Sequence, residues 1–493
     1  MRQAHSILDR RRAGVLLHIT SLPGGLHNGE LGKEAFGFID QLVDMGMTVW
    51  QTLPINPTHG DGSPYQCLSA HAGNPLLIDP ETLVHEGWLE SSSSRDEIKG
   101  PQEYKRSLLD AAFEGFVRHG GLEGEAFRGF REAASFWLDD YALFMAIREK
   151  LGGCAWTSWP LPIRQRDPGA MEEIRSELRM QTSRVEFEQF VFFRQWHALK
   201  RYANQRGILL FGDVPIFVAG DSADVWAHQS EFDLLPDGAP RVVAGVPPDY
   251  FSKTGQRWGN PHYRWDAMEA SGFQWWRARF RSQFDLFDWV RIDHFRGLEA
   301  YWEIPLDEET AMGGHWVKAP GEALLHALFE DSPDGTLPLI AENLGIITPE
   351  VEALRERFEI PGMLILQFAF DGGADNPYLP KNHTPNQVVY TGTHDNDTTL
   401  SWFEGLSDEA RSHVYQSLGS PGLPMPEALI RAALDSVALL AILPMQDLLG
   451  LGAGSRMNTP GTTEGNWCWR YDQDALSTER CCRIASWVQS SHR

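Results

Sequence analysis

The sequence lacks the features that direct a chain to a membrane, a disulfide-rich scaffold or nucleic acid. No run of about eighteen apolar residues occurs, and residues 1–14 lack the apolar core of a signal peptide. The five cysteines are odd in number and have no metal-site spacing, so we expect reduced thiols in a cytoplasmic protein. The net charge of −24 argues against nucleic-acid and anionic-membrane partners.

The composition is otherwise that of a large globular protein with many aromatic residues. The chain has 493 residues, 42% of them hydrophobic and 22% charged, and it contains 18 Trp, 11 Tyr and 26 Phe. These rings could provide flat surfaces for sugar faces, or they could simply fill a large core. Composition alone leaves both roles open.

Eight short apolar runs recur along the chain, and most of them end in polar residues. Because they are apolar on both faces and mostly short, they are typical of buried parallel strands. Helical patterns lie between several of the runs, which predicts a (β/α)₈ barrel. The runs span 14–21, 48–54, 207–218, 289–294, 337–345, 362–370, 387–397 and 437–450.

Two intervals between these runs are too long for ordinary βα loops. We therefore expect one catalytic barrel over residues 1–493 that carries two insertions and no C-terminal β-sandwich. Residues of about 60–200 are rich in helical patterns and predict a helical subdomain. Residues of about 215–285 are rich in Gly, Pro, Asp and aromatics, and predict a loop-rich insertion over the active face.

In four of these runs the apolar stretch ends at, or is followed by, an acidic residue: Asp213, Asp293, Glu342 and Asp395. In a (β/α)₈ barrel the carboxyl ends of the strands meet at one mouth, where active sites lie. Carboxyl groups so close together repel each other unless one is kept protonated while a cation such as Arg291 keeps another ionised. That division suits glycoside chemistry, which needs a nucleophile and a proton donor.

The same acids could serve two purposes other than glycoside chemistry. A divalent metal site could use them together with His294 and His394. A structural ion-pair cluster at the strand ends would need no catalysis at all. Neither the distances between the carboxyl groups nor their partners can be read from the sequence.

The motifs around these acids resemble those of one enzyme family. The segments "RIDHFRG", "IAENLG" and "GTHDNDT" are similar, in order and wording, to the catalytic segments of glycoside hydrolase family 77, the 4-α-glucanotransferases or amylomaltases, which are related to the α-amylases. "GVLLHITSLPGG", "GDVPIFVAGDSADVW" and "RMNTPGTTEGNWCWR" extend the resemblance from residue 14 to about residue 470.

The resemblance implies a role for each matching residue. Asp293 would be the nucleophile, Glu342 the general acid/base and Asp395 a third carboxylate that binds and distorts the donor sugar. The substrate-binding residues that it implies are Arg291, His394, Tyr65, Asp213, Trp258, Asp249, Tyr250, Phe251, Asn458, Pro460 and Gly461. One departure stands beside the acid/base, since Asn343 occupies a position where the family usually has Asp.

The resemblance further implies a transferase that moves α-1,4-glucan segments with retention of the α-anomer. The expected partners are malto-oligosaccharides, maltose, glucose and other α-1,4-glucans, and no cofactor or metal is implied. A hydrolase of the α-amylase type and a glucan-binding protein on an inactive barrel are the alternatives. The sequence leaves open the preferred glucan length, the oligomeric state and a role in maltose use or glycogen turnover.

Overall fold

The computed structural model describes residues 6–26, 28–90, 100–248, 252–332 and 335–493. The strands in these residues are β1 (Arg12–Leu16), β2 (Val49–Gln51), β3 (Leu209–Pro215), β4 (Val242–Val246), β5 (Gln256–Pro261), β6 (Trp289–Asp293), β7 (Ala300–Pro305), β8 (His315–Lys318), β9 (Leu339–Ala341), β10 (Gly362–Ile365), β11 (Gln387–Tyr390) and β12 (Leu440–Pro444).

The helices connect these strands or extend beyond them. Within the described residues they are α1 (Lys33–Asp44), α2 (Pro80–His85), α3 (Pro101–Arg118), α4 (Glu125–Lys150), α5 (Leu161–Arg164), α6 (Pro168–Glu177), α7 (Arg179–Gln205), α8 (Ala223–Ala227), α9 (Trp265–Ala270), α10 (Gln274–Leu286), α11 (Gly321–Asp331), α12 (Pro349–Arg357), α13 (Thr399–Glu404), α14 (Asp408–Ser417), α15 (Glu427–Asp435), α16 (Met445–Leu449) and α17 (Thr478–Ser490).

Eight strands form one parallel sheet in the order β10-β11-β12-β1-β2-β3-β6-β9. Seven of the eight apolar runs contain one of these strands, and the run 14–21 overlaps the end of β1. The predicted (β/α)₈ barrel is confirmed. The ends of the sheet, β9 and β10, meet at a seam where the Ala341 N–H donates to the Pro361 carbonyl at 2.8 Å. The barrel is therefore nearly closed.

The strands are buried on both faces, as their sequence predicts. Every residue of β1, β10 and β12 is buried. Inward side chains from several strands, including Leu16, Val49, Phe211 and Ile442, form one apolar cluster that fills the barrel. Because side chains alternate along a strand, Phe211 and Asp213 lie on the same face of β3. The apolar cluster is thus the floor beneath the polar residues at the mouth.

A close approach between a strand and the segment that precedes β6 depends on one glycine. A Cβ atom on Gly212 in β3 would lie 2.3 Å from the Phe287 ring, well inside van der Waals contact. Phe287 is buried and precedes β6, which pairs with β3 in parallel. Glycine at this position lets the ring cover the back of β3, next to the buried Asp213 on its other face.

The long intervals add structure outside the barrel. Helices α2 to α7 lie between β2 and β3, and the long helices α4 and α7 pack together there. Strands β4, β5, β7 and β8 form a separate antiparallel sheet in the order β5-β4-β7-β8. The division of the chain into a barrel, a helical insertion and a loop-rich insertion stays a prediction.

None of the helices in the described part of the chain combines the length and apolarity that a membrane crossing requires.

Candidate active site

Arg291 is the cation at the centre of the mouth. It lies on β6 and is only 4% exposed. Its Nη1 donates to both oxygens of Asp213 at 2.8 Å, and its Nη2 lies 2.7 Å from Oδ1 of Asp293. Burial would lower the pKa of Arg291, but the carboxylates of Asp213 and Asp293 outweigh it and hold that pKa well above its usual range. Arg291 therefore stays charged between two acids.

The register of the strands explains this arrangement. Trp289, Arg291 and Asp293 occupy alternate positions of β6 and so share its inward face. Asp213 of β3 is the register partner of Arg291, which places the two side chains next to each other. Along the inward face of β6, Trp289 lies at the apolar floor, Arg291 follows as a cation and Asp293 as a carboxylate at the rim.

Tyr65 reaches Asp213 from a loop that follows β2. Its hydroxyl donates to Oδ2 of Asp213 at 2.6 Å, and its ring stacks on the His394 imidazole with centroids 5.2 Å apart. Burial raises the pKa of Asp213, which Arg291 and the Tyr65 hydroxyl counteract. The structure therefore brings Tyr65, Asp213, Arg291 and His394 together.

Glu342 follows β9 and carries a carboxyl group of raised pKa at the mouth. Two backbone donors hold it: the His294 N–H reaches Oε2 at 2.7 Å, and the Leu344 N–H reaches Oε1 at 2.8 Å. Burial, and next the nearby charge of Asp293, raise the pKa of Glu342 to about 7 despite these donors and Arg291. A group of this kind can give up and take back a proton near neutral pH.

His294 makes its contact to Glu342 through an unusual backbone conformation. It has φ 54° and ψ 51°, the left-handed region that residues other than glycine rarely adopt. This turn directly after β6 points its N–H at the carboxyl group of Glu342. Desolvation of its half-buried imidazole lowers the pKa of His294 to about 4. The imidazole and the Trp258 ring meet nearly at right angles, with centroids 5.0 Å apart.

Asp395 lies in the loop after β11, which is separated from β9 by β10 alone. Its Oδ1 accepts a hydrogen bond from Asn458 Nδ2 at 2.6 Å and lies 3.4 Å from His394 Nε2. The Arg456 guanidinium donates to its backbone carbonyl. The Asp395 side chain is 45% exposed, so it faces the open mouth while its backbone is held.

The remaining predicted residues divide into those near these groups and those outside the described part of the chain. Trp258 lies on β5, donates from Nε1 to Gln256 and contacts His294. Pro460 and Gly461 form an exposed turn between Thr459 and Thr462, and Gly461 has φ 80°. Asp249, Tyr250 and Phe251 lie outside the described residues.

Some residues at the mouth were not predicted from the sequence. Trp467 has φ 63°, its N–H donates to the Met457 carbonyl at 2.8 Å, and its ring lies 5.9 Å from Tyr65 and 6.0 Å from His394. The buried His18 bonds Thr52, and burial lowers its pKa to about 3. Trp467 could have been found in the motif "EGNWCWR", whereas the backbone donor of Leu344 has no sequence signal.

The geometry at the mouth suits proton transfer and nucleophilic chemistry. Asp293 faces the Arg291 cation, and Glu342 is enclosed by backbone N–H groups. Within the described ranges no group of three or more His, Cys, Asp or Glu is arranged to hold a metal ion. One carboxylate paired with a cation beside one carboxyl group of raised pKa is the combination that glycoside chemistry uses.

Comparison with known proteins shows the family to which the chain belongs. The family model described as 4-alpha-glucanotransferase, glycoside hydrolase family 77, matches residues 17–476. The 4-alpha-glucanotransferase of Thermus thermophilus is 48% identical, over 98% of this chain and 99% of its own length. That of a Synechocystis species is 49% identical, over 96% of each chain.

Solved structures point the same way. Amylomaltase from Streptococcus agalactiae in complex with acarbose superposes with a TM-score of 0.92 at 39% identity, over 98% of this chain and 100% of its own. Amylomaltase from Corynebacterium glutamicum, at 20% identity and a TM-score of 0.76, covers 99% of this chain and 76% of its own and supports the fold alone. With a barrel, a carboxyl pair and matches over nearly its whole length, the chain belongs to glycoside hydrolase family 77, the 4-alpha-glucanotransferases.

Proposed function

We propose that this transferase moves a segment of an α-1,4-glucan to the 4-hydroxyl of an acceptor glucan or glucose by double displacement. The observation that carries the mechanism is the contrast between two carboxyl groups at one mouth. Asp293 lies 2.7 Å from the Arg291 cation, whereas burial raises the pKa of Glu342 to about 7. The first suits a nucleophile and the second a proton donor.

In the first half of the reaction the Asp293 carboxylate attacks the anomeric carbon of the donor glucan. A C1–O bond to Asp293 forms while the glycosidic bond to the leaving O4 breaks. Glu342 gives its proton to that oxygen, so the shortened glucan leaves as a neutral alcohol. The Arg291 cation pairs with the Asp293 carboxylate and orients it for the attack.

In the second half the acceptor replaces the leaving group. Its 4-hydroxyl attacks C1 and gives its proton to the Glu342 carboxylate, and the bond between C1 and Asp293 breaks. The two inversions together retain the α-anomer and regenerate both groups. Water in place of the sugar hydroxyl would give hydrolysis, so exclusion of water decides between transfer and hydrolysis.

Asp395, His394 and Tyr65 are the proposed contacts of the donor sugar. Asp395 is exposed at the mouth while Asn458 orients its carboxylate, which suits a group that accepts hydrogen bonds from sugar hydroxyls. The Tyr65 ring, stacked against His394, offers an aromatic surface for the sugar face. Asp213 is proposed to act indirectly, because it accepts hydrogen bonds from both Tyr65 and Arg291 and so fixes their positions.

The acceptor glucan is proposed to lie on the side of the second sheet. Trp258 on β5 contacts His294, whose N–H holds Glu342, so an acceptor stacked on Trp258 would lie next to the acid/base. We assign Asp249, Tyr250 and Phe251 to the same side, and the loop with Pro460 and Gly461 to the opposite flank.

We propose malto-oligosaccharides, maltose and glucose as the substrates and the cytoplasm as the location. The acidic chain has no charge attraction for anionic polymers, which is compatible with neutral glucans. All five cysteines are unpaired, as is usual in a reducing compartment.

Incubation with pure maltotriose tests the reaction. We expect glucose and a ladder of longer maltodextrins to accumulate while the concentration of reducing ends stays constant. A steady rise in reducing ends with only shorter products would identify a hydrolase and reject transfer as the main reaction.

The substitution Asp293→Asn tests the nucleophile. An amide cannot form the covalent intermediate, so kcat should fall by about 10³-fold or more while maltotriose binding by calorimetry and the fold persist. Asp285→Asn, on the surface of α10 and 60% exposed, is the matched control and should keep activity. Transfer by a clean Asp293→Asn preparation at more than a tenth of the control rate would reject the assignment.

A further inference from the structure

Asn343 lies at the seam of the barrel, directly after Glu342. The seam joins β9 and β10, the two strands at the ends of the sheet order. On the facing strand, the Met363 N–H donates to Asn343 Oδ1 at 2.8 Å. The Asn343 side chain thus adds a hydrogen bond across the seam to the one from the Ala341 N–H to the Pro361 carbonyl.

The other end of the Asn343 side chain reaches helix α12. Its Nδ2 donates to Glu352 Oε1 at 2.7 Å, and the second oxygen of Glu352 accepts from Arg355 Nη2 at 2.6 Å and Nε at 2.9 Å. The Arg355 guanidinium is 7% exposed and also donates to the Ile360 carbonyl at 2.8 Å. One amide therefore ties β10 to an ion pair on α12.

A glycine makes room for this amide. A Cβ atom on Gly362 would lie 2.9 Å from Nδ2 and 3.0 Å from Oδ1 of Asn343. Any other residue at the start of β10 would push the amide away from Met363 and Glu352. The glycine at position 362 therefore allows the Asn343 amide to lie against the edge of β10.

The Asn343 amide forms a bridge between Met363 on β10 and Glu352 on α12. This bridge requires an acceptor towards Met363 and a donor towards Glu352. An amide has both, since its oxygen accepts from Met363 while its nitrogen donates to Glu352. An ionised carboxylate at position 343 would keep the first bond, but it would place two negative oxygens at hydrogen-bond distance from each other. Asn343 and Glu352 are therefore matched to one another.

We propose that Asn343 is a positioning residue for Glu342, acting through the seam that it closes between β10 and α12. The backbone that it fixes also carries the Leu344 N–H, which donates to Glu342 at 2.8 Å. The inference rests on the proposed acid/base role of Glu342. The charged or titratable groups that interact with Glu342 are Asp293 and Arg291 from β6, and Tyr378 after β10.

The test uses three variants of the full chain: Asn343→Asp, Glu352→Gln and the double variant. Melting temperature, kcat with maltotriose and the pH profile of kcat/KM are measured for each. Asn343→Asp should lower the melting temperature and reduce kcat about tenfold, because the facing carboxylates separate and the seam opens. Glu352→Gln should show a smaller loss, since the new amide on α12 still offers an oxygen to Asn343.

The double variant restores the bridge with its polarity reversed. Its carboxylate at position 343 can accept from the Met363 N–H and from the new amide at position 352, so kcat should recover to within about threefold of the Glu352→Gln variant. The carboxylate beside Glu342 remains, and the alkaline limb of the profile should therefore stay shifted upward by about half a pH unit. Because the charge alone causes this shift, the readout for positioning is the split between kcat and KM: Asn343→Asp should lower kcat while KM for maltotriose stays within about twofold.

Two results would overturn the proposal. One is a double variant no better than Asn343→Asp in kcat and melting temperature, and the other is a loss in Asn343→Asp that falls on KM while kcat is kept. Glu342→Gln, measured alongside, separates a failure of the Asn343 proposal from a failure of the proposed acid/base role. If Glu342→Gln kept wild-type kcat, the acid/base role would fall, while the melting temperatures would still show whether the bridge exists.

Discussion

The backbone N–H of Leu344 offers a direct test of how the acid/base is tuned. It donates to Glu342 Oε1 at 2.8 Å, and Leu344→Pro removes this donor without changing any charge. Leu344→Ala is the matched control, because it also removes the side chain but keeps the N–H. Comparing the two variants isolates one hydrogen bond to the ionised form of Glu342.

The size of the effect follows from that bond. A hydrogen bond to a charged group contributes about 1.5–3 kcal/mol, and one pKa unit corresponds to about 1.4 kcal/mol. Glu342 is 8% exposed, so solvent does not replace the lost donor effectively. Loss of a bond to the ionised form disfavours ionisation, so the pKa should rise by about 1–2 units from its value of about 7.

The assay is the pH dependence of kcat/KM for glucose release from maltotriose. The first half-reaction needs protonated Glu342, so kcat/KM should fall as pH rises through the pKa of this group. We expect the alkaline limb near pH 7 for Leu344→Ala and about 1–2 units higher for Leu344→Pro. Coincident limbs in two variants with equal far-UV circular dichroism would refute the reasoning.

Two further hydrogen bonds give predictions of known direction. Tyr65→Phe leaves one oxygen of the buried Asp213 without its 2.6 Å donor, and urea unfolding should show a loss of about 1–3 kcal/mol. An unchanged unfolding free energy would contradict this. Asn458→Ala frees the carboxylate of Asp395, so kcat/KM for maltotriose should fall about tenfold. Asn466→Ala, which alters the same loop away from Asp395, should reduce kcat/KM clearly less. Equal reductions in kcat/KM would show an effect of the loop and not of the bond to Asp395.

The eight barrel strands were predictable because buried parallel strands leave a strong local signal. A strand covered on both faces must be apolar on both, as in β10 and β12, and few other short elements share that pattern. The strands of the second sheet lack it. β5, for example, is partly exposed along Gln256–Trp258 and includes a glycine, so its pairing with β4 shows only in the fold.

The positions of the acids were equally accessible from the sequence. Asp293 ends an apolar run and Glu342 follows one, and the barrel topology predicts that such residues share one mouth. The raised pKa of Glu342 and the hydrogen bonds that hold it could not be predicted in this way. The raised pKa of Glu342 depends on burial and on Asp293, and its two backbone donors belong to residues 48 and 2 positions away in the chain.

The sequence by itself predicted the barrel, the family and the acids that meet at the mouth, because apolar patterns and motif residues can be recognised locally. Only the tertiary structure decided the partners: Arg291 between Asp213 and Asp293, the left-handed His294 beneath Glu342, and Asn343 across the seam. These contacts join residues from different strands. Their distances depend on strand register and barrel closure, which no single segment of the sequence encodes.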